Sequence, residues 1–215
     1  MSTISNGPIS RKGQCINFDH ITFWVSNARQ AASYYCVHFG FEPFVFRGLE
    51  TGSRSIASHA VKQGSIILVF TSSLSPSSSQ EISNHVSKHG DSVKDVAFSV
   101  DDLDLVVKRA IDKGAVLIQS ILEEKGDSDD GFVRTATVAT FGDVTHTFVE
   151  RRNYSGLFLP GFLSSPFKVF FHYAFDFFSV RFRFFSLRFL FYSLRFQIAP
   201  LSSVPNLDSV YITFV

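Results

Sequence analysis

The sequence predicts an α+β fold: two tandem βαβββ units with curled mixed sheets, followed by a Phe-rich tail of different character. Three observations lead there. The order strand, helix and three further strands is written twice, at an offset of 75 residues for the first strands and 74 for the glycines that end the helices. Neither unit alone is long enough to bury a sizeable core, so the two should share one and curl around a central cavity. Composition changes abruptly near Leu163: of 26 Phe, 13 fall in the last 53 positions, where Gly and Glu are absent.

The first unit opens with INFDHITFWVS (16–26), rich in β-branched and aromatic residues and partly alternating, as a strand with one buried face requires. Asn27 caps a helix in which Ala28, Ala31, Ala32, Tyr35 and Phe39 fall at helical spacing, and Gly40 stops it. FEPFVF, SIASHAVKQ and SIILVFTSS follow as strands separated by turn residues. The Ser-rich LSPSSSQEISNHVSKHGDS reads as a surface connection with at most a short helix. The second unit repeats the grammar. VKDVAFSV is its strand, Asp101 or Asp102 its cap, and Leu103, Val106, Val107, Ala110 and Ile111 its apolar helix face before Gly114. AVLIQSILEEKG, RTATVATFG and VTHTFVER complete it, with EEKGDSDDG as a hairpin loop. In this alignment His20 lies over Asp95, Phe23 over Phe98 and Val25 over Val100.

The expected division is a disordered N-terminus over 1–15, a paired βαβββ domain over 16–162, and a tail over 163–215. With 20 Lys+Arg against 19 Asp+Glu, no whole-chain field points to nucleic acid as a partner. MSTISNGPISRKGQ has neither an apolar secretory core nor the pattern of a mitochondrial address, so the expectation is a cytoplasmic protein. Cys15 and Cys36 fit neither a zinc site nor a redox pair and read as reduced packing residues. There is no GxSxG, P-loop, GxGxxG or HExxH pattern.

Paired βαβββ units resemble the vicinal oxygen chelate (glyoxalase-like) superfamily. More specific are FWVSNARQAASYYCVHFGFEP, FRGLETGSR, KHGDSVKDVAF and THTFVERRNYSGLFLPGF, which in this order resemble the amino-terminal half of the 4-hydroxyphenylpyruvate dioxygenases. That resemblance implies tyrosine and phenylalanine catabolism: an Fe(II) enzyme converts 4-hydroxyphenylpyruvate and O2 to homogentisate and CO2. It implies an iron held by two His and one Glu, all in the carboxy-terminal domain, beyond where the likeness stops. This chain is therefore expected to be truncated before the iron site, inactive as written, with no catalytic residues and no bound metal. Two alternatives stay open. One is a non-catalytic domain that docks on full-length subunits or forms a homo-oligomer. The other is a divergent metal enzyme.

The candidate metal set for that last reading is His20, Asp95 and Glu150, one on the first strand of each unit and one on the last strand. One nitrogen and two carboxylates could bind iron, manganese or magnesium. The resemblance implies instead that the amino-terminal domain has lost its metal, leaving these as satisfied polar residues or a relic. His146, between Thr145 and Thr147, reads as a strand-surface or hydrogen-bonded residue, and His59, His85 and His89 as solvated side chains. Tyr34 and Tyr35 read as core elements, and His172 receives no ligand role.

In the tail a period of seven runs from Tyr173 to Pro200, with Phe175, Phe182, Phe189 and Phe196 in step and Arg181, Arg188 and Arg195 in a second phase. Strands cannot keep an odd period on one face, whereas a helix drifts only about 20° per seven residues. An amphipathic basic helix on a membrane surface or partner is one reading. The other, favoured by the T-rich codons of Phe, Ser, Leu and Tyr, is translated non-coding sequence such as a retained intron.

Overall fold

A computed structural model describes residues 12–75, 77–126 and 131–166. The tail heptads, His172 and the tip of the EEKGDSDDG loop lie outside the described residues. Nine strands and three helices follow in the order β1 (Cys15–Trp24), α1 (Ala28–Phe39), β2 (Glu42–Arg47), β3 (Ile56–Gln63), β4 (Ile66–Ser73), α2 (Gln80–His89), β5 (Ser92–Val100), α3 (Leu103–Asp112), β6 (Leu117–Lys125), β7 (Phe132–Ala139), β8 (Thr145–Arg152) and β9 (Leu163–Ser164).

The expected pair of sheets is one open mixed sheet, ordered β6-β7-β8-β5-β1-β4-β3-β2-β9. Each unit has the same internal logic: its first strand runs parallel to its last, β1 beside β4 and β5 beside β8. The units join where β1 and β5 pair antiparallel. Two half-sheets thus become continuous because their first strands hydrogen-bond to each other.

Alternation assigns the two faces. On one, α1 buries Ala28 and Ala32 against Val61, Leu68 and Phe70, while α3 buries Leu103, Val106 and Val107 against Val100 and Ala136. Fully burying a side chain such as Phe70 or Leu103 contributes about 1.5–3 kcal/mol. Both helices start as the sequence indicates: Asn27 Oδ1 accepts from the Gln30 amide and Asp102 Oδ1 from the Leu105 amide, each 3.0 Å. Gly40, at φ 72°, ends α1 in the left-handed conformation that other residues resist. Ile111 and Phe39, expected on the buried faces, are exposed in the last turns of their helices.

Four other expectations change. The Ser-rich connection holds a ten-residue helix, α2, anchored by buried Ile82 and His85. Cys15 is exposed at the start of β1; Cys36 does pack, and burial raises its thiol pKa to about 11. Order begins before residue 16. Asp101, relieved of capping by Asp102, accepts the Lys12 and Gln14 amides, and Arg109 donates to the Lys12 and Gly13 carbonyls. The sheet also runs past Phe162: Leu163 and Ser164 pair with Phe46 and Val45, and the Ser165 amide donates to the Phe44 carbonyl.

The face away from the helices is partly filled and keeps a cleft beside the seam. The segment after β8 crosses it, placing Phe158 on Val45, Ala60 and Val69 of the first unit. Leu159 packs there too and also, with Tyr154, on Ala97, Val133 and Val149 of the second.

Candidate functional site

The polar centre of the molecule lies at the seam. Between Phe18, which faces Phe98, and His20, which faces Ala97, β1 carries one extra residue, Asp19. Such a bulge breaks alternation and lets neighbours point the same way. Asp19 and His20 both line a cleft on the helix-free face, and His20 Nδ1 lies 2.8 Å from Asp19 Oδ1. A carboxylate can only accept, so Nδ1 is the donor and, on a neutral ring, Nε2 carries the lone pair.

Asp19 is held from three sides. The Arg151 guanidinium binds both of its oxygens, Ser99 Oγ donates to Oδ2 at 2.6 Å, and His20 takes Oδ1. Burial pushes the Asp19 pKa up, but the hydrogen bonds from His20, Arg151 and Ser99 outweigh it and hold the carboxyl well below the usual range. Arg151 is fixed in turn by the Phe158 carbonyl, 3.3 Å from Nη2. The ring of Phe158 meets the His20 ring edge-on, centroids 5.1 Å apart. The result is an immobilised Asp–His pair beneath a cleft of about 930 Å3.

Asp95 sits on the same face one diagonal away, since Thr22 faces Asp95 and His20 faces Ala97. Its Oδ1 accepts from Thr145 at 2.6 Å and from Thr147 at 3.0 Å. Burial nevertheless dominates and raises its pKa. The two threonines thus serve Asp95, and His146 between them faces the other way, edge-on to Phe98 at 5.2 Å. His146 is half-buried on its strand, and its Nδ1 is buried without a hydrogen-bond partner.

Glu150 shows why the expected trio is not brought together. β8 places Thr145, Thr147, Val149 and Arg151 on the cleft face, so Glu150 falls on the helix face with Phe148. It is 2% exposed and bound by Arg134 at 2.9 Å and Arg152 at 2.8 Å, with Arg134 also gripping Asp104 of α3. An Fe(II) site asks for donors converging on one point from one side. Here His20 and Asp95 have internal partners and Glu150 lies across the sheet. The donor set does not fit the metal, and among the described residues no three His, Cys, Asp or Glu side chains cluster as ligands.

Of the remaining histidines, His85 is buried rather than solvated. It packs against Trp24 and lies 3.0 Å from Ser92 Oγ, and burial, followed by the charges of His89 and Lys94, lowers its pKa. His89 meets Asp143 at 2.6 Å, and half-buried His59 has its pKa lowered chiefly by burial. Tyr35 packs among Phe23, Phe41 and Phe70, as a core residue should, whereas Tyr34 is exposed. Asp19, Ser99 and Arg151 were not visible as a group in the sequence. The one available signal was two consecutive polar residues inside an apolar strand.

Residues 19–132 match the Glyoxalase/Bleomycin resistance protein/Dioxygenase superfamily. The 4-hydroxyphenylpyruvate dioxygenase of Caenorhabditis elegans is 47% identical over 171 residues, covering 80% of this chain and 43% of its own. That of Danio rerio is 49% identical over 168 residues, covering 78% and 42%. The chain therefore spans less than half the length of the curated relatives it matches. Among solved structures, a mutant of 4-hydroxymandelate synthase from Streptomyces coelicolor superposes with a TM-score of 0.61 at 28% identity, over 72% of this chain and 43% of that one. Methylmalonyl-CoA epimerase from Mycobacterium tuberculosis, at a TM-score of 0.52 and 19% identity, covers 67% of this chain and 94% of its own and shares the fold. No helix among the described residues is long and apolar enough to cross a membrane.

Proposed function

The chain belongs to the glyoxalase/bleomycin resistance protein/dioxygenase superfamily, and from that premise we propose that residues 12–166 are the non-chelating module of a 4-hydroxyphenylpyruvate dioxygenase. In this reading the module is a folded scaffold for a metal-bearing module of the same enzyme. The Fe(II), the keto acid and the O2 that become homogentisate and CO2 are handled there. One observation carries the proposal: the three positions from which this fold could offer metal donors are split between two faces of the sheet, with Glu150 saturated by arginines. The divergent metal enzyme built on His20, Asp95 and Glu150 loses its geometric basis for the same reason. Docking on a full-length subunit remains the form in which the module would act when made separately.

The test uses the recombinant 215-residue chain, alone and co-expressed with the carboxy-terminal portion of the Caenorhabditis elegans enzyme. Expected are no homogentisate from the chain alone, Fe(II) content unchanged by His20→Ala, and homogentisate release from the co-expressed pair. One equivalent of Fe(II) that disappears in His20→Ala would overturn the reading, as would turnover by the chain alone. So would a pair that never co-purifies.

A further inference from the structure

Helix α2 is both the chain's passage from the first unit to the second and a brace between them. It packs on β1 and β4 of the first, and at its C-terminal end Lys88 and His89 grip Asp143 of the second at 2.8 and 2.6 Å. Its hold on the sheet is thin. The side chains it buries are Ile82 and His85, and Ser79 at its start makes no capping hydrogen bond. The residues that α1 and α3 bury are all aliphatic, so α2 is the helix whose docking depends on a titratable group.

His85 is 7% exposed, edge-on to Trp24 with centroids 5.2 Å apart, and its ring lies 4.8 Å from that of His89. Ser92 Oγ donates to the Gly90 carbonyl at 3.3 Å, so it accepts from His85 Nε2 at 3.0 Å, and that one bond suits a neutral ring. A second proton, on Nδ1, meets no protein acceptor among the described residues. Most of the charges that face the ring have the sign it would acquire. Lys88 and His89 belong to α2 itself, and Lys94 of β5 sits over the Trp24 ring at 4.7 Å and donates to the Asp143 carbonyl at 2.7 Å. β4 carries no ionisable side chain, and β1 brings Trp24 to the contact. Asp91 is taken by the Ser26 amide and hydroxyl, each at 2.7 Å, and Glu81 is exposed one turn back. The opposing carboxylate is Asp143, which Lys88 and His89 keep ionised by holding its pKa down to about 2. Burial first, and then His89 and Lys94, hold the His85 imidazole below its usual range.

We propose that α2 is an acid-released brace: neutral His85 holds it against Trp24, and a proton on His85 lifts it from the sheet while the β1–β5 seam stays paired. Docking favours the neutral ring, so the undocked state binds more protons. The docking equilibrium therefore weakens as pH falls below about 6.5, by up to about tenfold per pH unit until the docked ring itself titrates. Release frees Lys88 and His89 from Asp143 and uncovers Trp24, which loosens the tie between the units at one place. Local opening falls to the least anchored element, and two buried side chains and a missing cap make α2 that element. The device is independent of the scaffold proposal, because no residue in it is offered as a metal donor or as a contact to a second module.

Trp24 is the single tryptophan of the chain and reports the event directly. The full chain is titrated from about pH 7.5 to about pH 4.5, the span in which imidazole changes charge, with tryptophan emission, acrylamide quenching and amide hydrogen exchange as readouts. Expected are a reversible red shift of the emission and stronger quenching as pH falls. Exchange of the α2 amides, corrected for intrinsic rate, should quicken by up to about tenfold per pH unit below about 6.5, while β1 and β5 amides keep their protection. His85→Phe, which retains a ring on Trp24, and His85→Gln, which retains a donor for Ser92, should both be flat across this range, and either one suffices if the other fails to fold. The same transition in a folded His85 variant overturns the proposal, as does no transition in the unmodified chain. An emission change without faster α2 exchange also overturns it, since that marks a proton quenching the indole beneath a docked helix. So does opening of α2 and β1 amides in step, which marks unfolding of the whole domain.

Discussion

Phe158→Ala tests whether the segment after β8 fills the face away from the helices. Phe158 is 3% exposed and touches Val45, Ala60 and Val69, and three rings meet its own: His20 at 5.1 Å, Phe162 at 5.3 Å and Phe44 at 5.9 Å. Removing a buried Phe costs about 3–5 kcal/mol from lost transfer and the residual cavity. The upper part of that range applies, because each edge-on ring pair adds about 0.5–1.5 kcal/mol beyond area and strands β2 to β4 cannot collapse into the gap without breaking their ladder. For a body of this size 1 kcal/mol moves the melting temperature by about 2–4 °C, so a fall on the order of 10 °C or more is expected. The assay is urea and thermal unfolding of the purified chain, with the urea slope unchanged so that the loss is one of stability. A loss of about 1 kcal/mol or less, within the ordinary spread of point mutants, would show that the segment does not pack there, and the argument for a filled face would fall with it.

Glu150→Ala should cost about 3–5 kcal/mol, as when one partner of a buried ion pair is removed. It should leave metal content unchanged, because Arg134 and Arg152, not a cation, are its partners; a near-neutral unfolding result would contradict the buried pairing. Asp19, whose folded pKa is depressed, contributes stability that is present above its unfolded value near 4 and is lost as pH falls toward the folded one. Asp19→Asn should therefore destabilise at neutral pH and flatten the acid limb of the stability profile, and an unchanged limb would refute the pairing with Arg151. Asp95 has the opposite sign: its raised folded pKa means that stability falls as pH rises through that value. Asp95→Asn should be neutral or stabilising at pH 7 and lose that advantage in acid, with stability followed by thermal melts across pH.

The doubled strand-helix-strand grammar was legible because it rests on period and punctuation: Asn27, Gly40, Asp102 and the apolar runs between them act locally. Helix α2 was hidden by its serines, although Ile82, His85, Val86 and His89 already stand at helical spacing before Gly90. The candidate site was harder for a physical reason. In a sheet covered on both sides, alternation tells which residues share a face but not which face is which. Phe148 and Glu150 could be paired on paper while their direction stayed open. The bulge at Asp19 erased parity where it mattered most, since a single inserted residue exchanges the faces of everything before it. Arg151 and Ser99 could be joined to Asp19 only by folding.

Leu163 and Ser164 have a consequence beyond closing the domain. By pairing with Val45 and Phe46 they make the outermost strand on one side only two residues long, whereas among the described residues the margin on the other side is the long β6, studded with Glu123, Glu124 and Lys125. Strand-by-strand polymerisation needs two free margins, one to receive and one to offer. A margin only two residues long offers a neighbour little to hold, and the charged side chains on the other make it a poor template, so neither end of the sheet invites growth.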